Sequence, residues 1–147
     1  MSSLVYGSDN LASAVYRHAC QNPNAAAAVV FNNKLLTFGE LALRAASISE
    51  ALIKHPDWEI PLDRPPRVGL LASRSLDACI ALLGACWAGA TYIPISLKQP
   101  EERIQATIQQ CDLTAVITDA EGQTLLTPGL RAKCPTIVFQ RRRPNKA

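Results

Sequence analysis

The chain has 147 residues, of which 48% are hydrophobic, 18% charged and 5% aromatic. A chain of this length can bury about two thirds of its unfolded surface, and this composition argues against disorder of the whole chain and against an aromatic-rich β-sandwich. The formal net charge is +3, yet residues 1–130 carry nine basic and twelve acidic side chains. The positive charge therefore belongs to the last seventeen residues, and we expect a basic tail over residues 141–147.

The cysteines and the apolar segments of the sequence bear on where the protein resides. The five cysteines are Cys20, Cys79, Cys86, Cys111 and Cys134. Their odd number and lack of CxxC spacing argue against disulfides and predict a reducing, cytoplasmic location. The first ten residues lack the pattern of a secretion signal. The apolar run 78–97 could span a bilayer by length, but Gly89, Thr91 and Pro94 interrupt it, so we expect a buried helix and strand.

The first predicted elements are a short helix and a β-hairpin. Three residues of N-cap type precede the helix: Ser8, Asp9 and Asn10. Its predicted apolar face consists of Leu11, Val15 and His18 or Ala19. Residues 25–31 and 34–37 then read as two strands, because Asn32-Asn33 tolerates the positive φ angles of a tight turn.

A second helix follows directly. Thr37 and Glu40 form a capping-box pattern, in which each side chain bonds the other residue's backbone N–H. The predicted inner stripe comprises Leu41, Ala45, Ile48 and Leu52, with Arg44 and Glu50 facing water. Residues 55–66 hold four prolines and are expected to form a surface loop.

From residue 68 onward strands and helices alternate. We predict a strand over 68–72, a buried helix over 76–88 capped by Ser73 or Ser75, and a strand over 91–95. Pro100 suits the first position of the next helix, with Glu101 and Glu102 at its positive end. Its inner stripe is Ile104, Ile108 and Cys111.

The remaining elements complete the fold prediction. A strand is expected over 113–118, a turn over 119–122 and a short strand over 136–139. The fold class is therefore α/β: an N-terminal β-hairpin and helix followed by a βαβαβ parallel sheet. Ligands of such sheets bind at the carboxyl ends of the strands.

Motifs with catalytic meaning are weak in this sequence. Gly84 and Gly89 have Walker spacing, but Ala90 and Thr91 replace the required Lys and hydroxyl pair, so we interpret both glycines as helix packing and a C-cap. The two histidines, His18 and His55, stand outside any catalytic pattern and are expected at the surface or its boundary.

Two further pairs have a structural and a chemical interpretation. Cys79 and Cys86 lie seven residues apart on the predicted buried helix, where small core side chains are favoured over a reactive pair. Glu101 and Glu102 are adjacent and diverge by about 100° on a helix, which argues against a shared acid and base role.

The tail residues Arg141–Arg143 could bind nucleic acid, but no aromatic residue accompanies them, and a solvated tail is favoured.

Three segments in order carry a family resemblance. Residues 36–41 (LTFGEL) resemble the first core motif of amino-acid-activating adenylation domains, and residues 85–95 (ACWAGATYIPI) resemble the second. Residues 99–104 (QPEERI) are similar to the helix start that follows it. Together the motifs make residues 10–119 resemble the N-terminal portion of an adenylate-forming (ANL superfamily, AMP-binding) ligase, closest to those of nonribosomal peptide synthetases. We therefore expect a partial adenylation domain over residues 1–140. Cys86-Trp87 and Ser96 depart from the family pattern, which leaves the acid substrate open.

The resemblance also implies what the chain lacks. In the family a carboxylic acid attacks the α-phosphate of ATP with Mg present, and a thiol then takes the acyl group. The phosphate loop, the ribose-binding aspartate and the catalytic lysine have no counterpart here, so we assign no catalytic, cofactor-binding or metal residue.

We expect an inactive fragment that is truncated, split or degenerate. Its implied partners are the remainder of the enzyme or a second copy of itself, with a carrier protein for the intact family and neither nucleic acid nor membrane. The alternative is a non-catalytic protein-interaction module that self-associates or pairs with the rest of a split ligase.

Overall fold

The computed structural model describes residues 10–30, 34–134 and 136–138. The helices are α1 Ser13–Gln21, α2 Phe38–Ile53, α3 Leu76–Trp87, α4 Glu101–Gln110, α5 Ala120–Thr124 and α6 Pro128–Arg131. The strands are β1 Ala26–Val30, β2 Lys34–Thr37, β3 Arg67–Leu71, β4 Thr91–Ile95, β5 Ala115–Thr118 and β6 Thr136–Val138. The predicted elements are thus present in the predicted order; the hairpin residues Asn32 and Asn33 and the tail 141–147 lie outside the described residues.

The hairpin and α2 form as the sequence predicts. Strands β1 and β2 pair antiparallel. The Glu40 N–H donates to the Thr37 hydroxyl at 3.2 Å, and the Thr37 N–H donates to the Glu40 carboxylate at 2.9 Å, which confirms the capping box. All four residues of the predicted α2 stripe are buried. This helix therefore lays its apolar face on the core and begins at a residue fixed by local hydrogen bonds.

The main sheet has the strand order β4-β3-β5-β6, and every adjacent pair is parallel. The chain starts in the interior strand β3, crosses to β4 on one side and then returns past β3 to β5. Because parallel crossovers are right-handed, reversing the direction of travel places α3 and α4 on opposite faces of the sheet. The strand order therefore reverses between β3 and β5, which makes this pair the switch point of the sheet.

Two apolar clusters cover the two faces. Val68 and Leu70 of β3 belong to the cluster under α2 and α3, while Leu71 belongs to the cluster under α4 and α6. On β5, Ala115 and Ile117 face the first cluster and Val116 the second. This alternation is the period of two that a strand imposes, so both central strands are buried on both sides.

Helices α2 and α3 approach each other closely at Gly84. A Cβ placed on this glycine would lie 2.6 Å from Cβ of Ile48 on α2. Gly89 has φ 78° just after α3, the conformation favoured at a helix C-terminus. The interpretation of both glycines as packing and capping residues is confirmed.

The outer edge of β4 is interrupted by Pro94. The Thr91 N–H points toward β3, since it donates to the Pro66 carbonyl at 2.8 Å. Backbone N–H groups alternate in direction along a strand, so position 94 faces outward, where a proline without an N–H costs no ladder hydrogen bond. Strand β4 is therefore suited to the border of the sheet.

The segment before α1 is fixed to the end of α3. The Asn10 side-chain amide donates to the Cys86 carbonyl at 2.8 Å, and the buried Trp87 indole N–H donates to the Ala12 carbonyl at 3.1 Å. The rings of Tyr16 and Trp87 meet edge to face with centroids 5.5 Å apart. The Cys86 carbonyl also accepts from the Gly89 N–H at 3.0 Å, so Asn10 supplies a second donor to a carbonyl at the end of a buried helix.

Several local predictions were wrong. Helix α1 begins at Ser13 after the N-cap Ala12, so Leu11 precedes it and is 82% exposed rather than part of an apolar face. Ser8 and Asp9 lie outside the described residues. Pro100 is the N-cap of α4 and not its first residue. The predicted turn over 119–122 is the N-cap and first turn of α5.

Other features at the ends of the elements were not anticipated or were anticipated only in part. Helix α6 had no prediction. Ile104 and Ile108 are buried as expected, but Cys111 is the half-buried C-cap of α4. Among the described residues, no helix is both long enough and apolar enough to cross a membrane.

Candidate functional site

The candidate site is the carboxyl edge of the parallel sheet at its switch point. The segments that follow the three strands there are Ala72–Ser75 after β3, Ser96–Gln99 after β4 and Asp119 after β5. In doubly wound sheets the crevice between the two strands at which the order reverses receives the ligand. The side chains between β3 and β5 therefore decide whether this edge can bind one.

Asp119 fills that crevice. Its Oδ2 accepts from the Ser73 N–H at 2.9 Å and from the Ser73 hydroxyl at 2.6 Å, and its Oδ1 accepts from the Gly122 N–H at 2.8 Å. The residue is only 6% exposed. Both carboxylate oxygens are thus committed within the chain, and the carboxylate connects the ends of β3 and β5.

The hydrogen bonds also set the protonation state of this group. Burial by itself raises the pKa of Asp119, but the hydrogen bonds from Ser73 and Gly122 outweigh it and lower the pKa below its usual 3.8. The carboxylate is therefore ionised at neutral pH. Since it is ionised and fully bonded, it serves as a fixed acceptor for backbone groups and not as a proton-transfer group.

Gly122 brings the start of α5 against the end of β3. A Cβ at this position would lie 1.9 Å from the Leu71 carbonyl oxygen and 2.5 Å from the Thr118 hydroxyl. No side chain can be accommodated at such distances, so this glycine is required by close packing. The crevice is consequently closed from above by a helix turn as well as by the Asp119 carboxylate.

The two serines of the loop after β3 make different hydrogen bonds. The Ser75 hydroxyl accepts from the Ala78 N–H at 3.2 Å and caps α3, whereas Ser73 binds Asp119. The sequence left the choice of cap between these residues open, and Ser75 is the cap. Arg74 between them is exposed, as is Lys98 after β4.

One polar atom at this edge lacks a hydrogen bond within the described part of the chain. The side-chain carbonyl oxygen of Gln99, in the loop between β4 and α4, is buried and unpartnered. Such atoms are rare in folded proteins and normally accept from water or from another segment. Sequence reasoning missed it, because glutamine before a helix carries no signal of burial.

The residues considered earlier for chemistry are not assembled into a site. Cys86 is buried as expected, but Cys79 is exposed, so the expectation that both are core side chains was wrong for Cys79. Glu101 accepts from the Thr127 hydroxyl at 2.7 Å and tethers α4 to the start of α6, while Glu102 is exposed.

The histidines and possible metal ligands also remain apart from this edge. His18 is exposed and its ring packs on Phe38 at 4.3 Å between centroids, and His55 is half-buried beside Asp57. Over the ranges that the structure describes, no three His, Cys, Asp or Glu side chains are grouped to hold a metal ion.

A groove among the described residues lies at the opposite edge of the sheet. This amino-edge groove has a volume of about 730 Å³ and is lined by residues of the loop before β3, by residues 112–114 before β5 and by residues 131–134 before β6. It therefore has no part in the ligand position that the fold predicts.

The comparison with protein families decides the identity of the fold. The family model described as "AMP-binding: AMP-binding enzyme" matches residues 15–146. The chain belongs to this family. The resemblance to an adenylate-forming ligase, derived from three short motifs, is thereby confirmed.

The curated relatives described next are peptide synthetases, and the chain matches a small part of each. The chain is 27% identical over 124 residues to nonribosomal peptide synthetase acrB of Aspergillus aculeatus, which covers 82% of the chain and 8% of that protein. It is 32% identical over 99 residues to tyrocidine synthase 1 of Brevibacillus parabrevis, covering 67% of the chain and 9% of the relative. The AMP-binding chain thus spans less than a tenth of the length of these relatives.

Solved structures confirm the fold. The AMPPNP-bound nonribosomal peptide synthetase FmoA3 superposes with a TM-score of 0.74 at 23% identity, over 87% of this chain and 13% of that one. A fatty acid AMP ligase from Legionella pneumophila gives a TM-score of 0.73 at 22% identity, over 94% and 24%. The same α/β arrangement therefore occurs in larger adenylating proteins, of which this chain matches one part.

Proposed function

We propose that this AMP-binding family chain is the N-terminal scaffold of an acyl- or aminoacyl-adenylate-forming ligase and that it is inactive by itself. The observation that carries the proposal is the commitment of Asp119 to Ser73 and Gly122 at the switch point. A position that could receive a ligand is used instead to hold two strand ends together.

The described residues do not fit the triphosphate of ATP. A phosphate cradle needs glycines whose backbone N–H groups point at the anion from a helix start. Here Gly84 packs against Ile48, Gly89 ends α3 and Gly122 abuts Leu71. Arg74 and Lys98 are exposed cations without such a cradle, so we derive no chemical step from this chain.

The energetic consequence supports inactivity. Phosphoryl and adenylyl transfer depend on preorganised positive charge, and losing one such donor commonly costs about 3 to 4 kcal/mol of transition-state stabilisation. The groups that supply it in the family would come from polypeptide outside this chain, as would the acid pocket and any carrier protein. Cysteine usage supports a cytoplasmic location for the assembly.

ATP–pyrophosphate exchange with the proteinogenic amino acids tests the proposal. The purified chain should give no exchange above background, and titration calorimetry at millimolar ATP should give no heat of binding. A complete adenylation domain serves as the positive control, and circular dichroism confirms that the assayed chain is folded. Robust exchange by the folded chain alone would overturn the proposal.

A non-catalytic interaction module is the second candidate. Leu35 on β2 and Leu43 on α2 are 62% and 72% exposed, and an apolar surface of this kind favours self-association or pairing with another part of a ligase. Light scattering at increasing concentration tests it. A mass that rises with concentration, and rises less in Leu43→Ser, supports the module; a constant monomer mass rejects self-association.

The division of the chain is also a proposal. We assign residues 1–140 to the partial adenylation domain and 141–147 to a basic tail. Limited trypsin digestion should remove the arginines after residue 140 before it cuts the domain. Initial cleavage within α2 or α3 would contradict this boundary.

A further inference from the structure

The loop from residue 55 to 66 carries an unusual surface segment. Trp58 packs half-buried against the first apolar cluster, and Arg64 forms an ion pair with Asp112 beyond the loop. Between these two anchors lie residues 59–63, here named the acidic loop, with the sequence Glu-Ile-Pro-Leu-Asp. The segment is held at both ends and contains a proline, so it has little conformational freedom to lose on binding.

The acidic loop exposes apolar side chains next to unpaired carboxylates. Ile60 is 64% exposed and Leu62 is fully exposed. Glu59 and Asp63 are exposed on either side, with no ion pair or hydrogen bond to the described residues. Because Leu62 remains exposed, its side chain contributes no burial energy to folding. Exposed apolar side chains surrounded by charged ones are typical of surfaces that contact another molecule.

The acidic loop also forms one wall of the amino-edge groove. Glu59, Ile60 and Asp63 contribute to its lining, as do Arg131 and Lys133 from the segment before β6. A groove of about 730 Å³ can receive several side chains of a bound segment. The acidic loop and the groove together offer exposed apolar side chains, carboxylates next to them and an adjoining concave surface.

We propose that the acidic loop and the amino-edge groove dock another protein through a segment that presents lysine or arginine next to apolar side chains. The positive charges pair with Glu59 and Asp63, and the apolar side chains cover Ile60 and Leu62. An anionic membrane surface is disfavoured because the carboxylates repel it. The chain's own tail, RRRPNKA from residue 141, has charge but no large apolar side chain to cover the leucine.

The test of this surface is separate from that of the proposed ligase role, since the surface lies at the edge of the sheet opposite the switch point. Its failure would leave the scaffold proposal untouched. Activity measurements on a reassembled ligase would equally leave this one untouched.

Fluorescence anisotropy with three labelled peptides tests the docking surface on the full chain. The probe is Lys-Leu-Lys-Leu-Lys-Leu-Lys; the comparison peptides replace each leucine by serine or each lysine by glutamate. We expect the probe to bind at least tenfold more tightly than either comparison peptide. Added salt should weaken it, because exposed charges are screened.

Loop variants locate the contact. I60S/L62S and E59Q/D63N should each weaken probe binding at least fivefold, while the matched surface controls I53S and E102Q/E121Q stay within twofold. Urea unfolding midpoints equal to that of the unchanged chain show that the loop variants remain folded. Equal binding of the lysine–serine peptide, or unchanged binding in both loop variants, overturns the proposal.

Two other occupants give distinct results. If the unliganded chain self-associates and I60S/L62S makes it monomeric, a second copy is the occupant and the proposal is wrong. If R141A/R142A/R143A raises probe affinity more than fivefold, the chain's own tail occupies the surface and the proposal is equally wrong.

Discussion

Ser73 donates both its backbone N–H and its hydroxyl to a single carboxylate oxygen of Asp119, across the boundary between β3 and β5. The two residues are separated by 46 positions in the chain. Since the strand order reverses at this boundary, the pair connects the two halves of the sheet. Its properties can be tested without knowledge of a substrate.

Replacing Asp119 by asparagine should destabilise the fold. The amide nitrogen of Asn is a donor and would face N–H or O–H groups of Ser73 or Gly122, which leaves buried donors unsatisfied. We expect a loss of about 1 to 3 kcal/mol in the free energy of unfolding, measured by urea denaturation. Asp63→Asn in the exposed loop is the matched control and should change stability by less than about 0.5 kcal/mol. Equal effects of the two substitutions would show that the contact contributes nothing.

The same carboxylate should make stability depend on acid. Its pKa is lowered by folding, so the unfolded chain binds the proton more readily, and the contribution is complete above the ordinary value of 3.8. It is lost as the pH falls below that value through the folded-state pKa. The unfolding free energy should therefore fall less steeply with acid in Asp119→Asn than in the unchanged chain. Parallel curves for the two proteins would contradict the assignment.

Gly84→Ala and Gly129→Ala should have opposite effects. At Gly84 a methyl group meets Ile48 at 2.6 Å and should cost about 1 to 3 kcal/mol by overpacking. At Gly129 the nearest atom is 3.8 Å away, so alanine should be neutral or stabilising by up to about 1 kcal/mol. The melting temperatures of the two variants and of the unchanged chain, measured by thermal unfolding, test both expectations. A stabilising Gly84→Ala would mean that α2 and α3 are farther apart than described.

Trp87→Phe should loosen the segment before α1. The ring is largely retained, but the Ala12 carbonyl loses the indole N–H, at a cost of about 1 to 3 kcal/mol. Hydrogen exchange should rise first in residues 10–16. Trp58→Phe is a suitable control, because Trp58 is half-buried in the first cluster and its indole N–H makes no hydrogen bond to the described residues. Unchanged exchange in residues 10–16 of Trp87→Phe would reject the role of this contact.

Thiol labelling should separate the cysteines by exposure. Cys20 and Cys79 are exposed, whereas burial raises the pKa of Cys86 and raises that of Cys134 to about 11. At about pH 8 the thiolate fraction of Cys134 is about a thousandth, so an aromatic disulfide reagent should modify Cys20 and Cys79 first. Mass spectrometry of the labelled peptides identifies the sites. Labelling of Cys134 as fast as Cys79 in the folded chain would contradict its burial.

Sequence reasoning succeeded where the determining interactions are local. The capping box at Thr37 and Glu40 involves positions three residues apart, and the α2 stripe follows from helical periodicity alone. The adenylation motifs identified the family for a related reason, since each motif lies where a helix or a strand begins or ends.

It failed where a distant group decides the outcome. Ser73 and Ser75 are equivalent as cap types, and only Asp119 distinguishes them. Gly122 looked like part of a turn, because its contact with the Leu71 carbonyl cannot be inferred from neighbouring residues. The burial of the Gln99 side-chain carbonyl oxygen and the exposure of Cys79 depend in the same way on the packing of separate elements.

Pro94 has a consequence for how this domain can grow. Of the two outward-facing positions of β4, only Tyr92 has a backbone N–H to donate, so an extended segment added on that flank would lack one ladder hydrogen bond. A single pyrrolidine ring therefore disfavours edge-to-edge aggregation through β4.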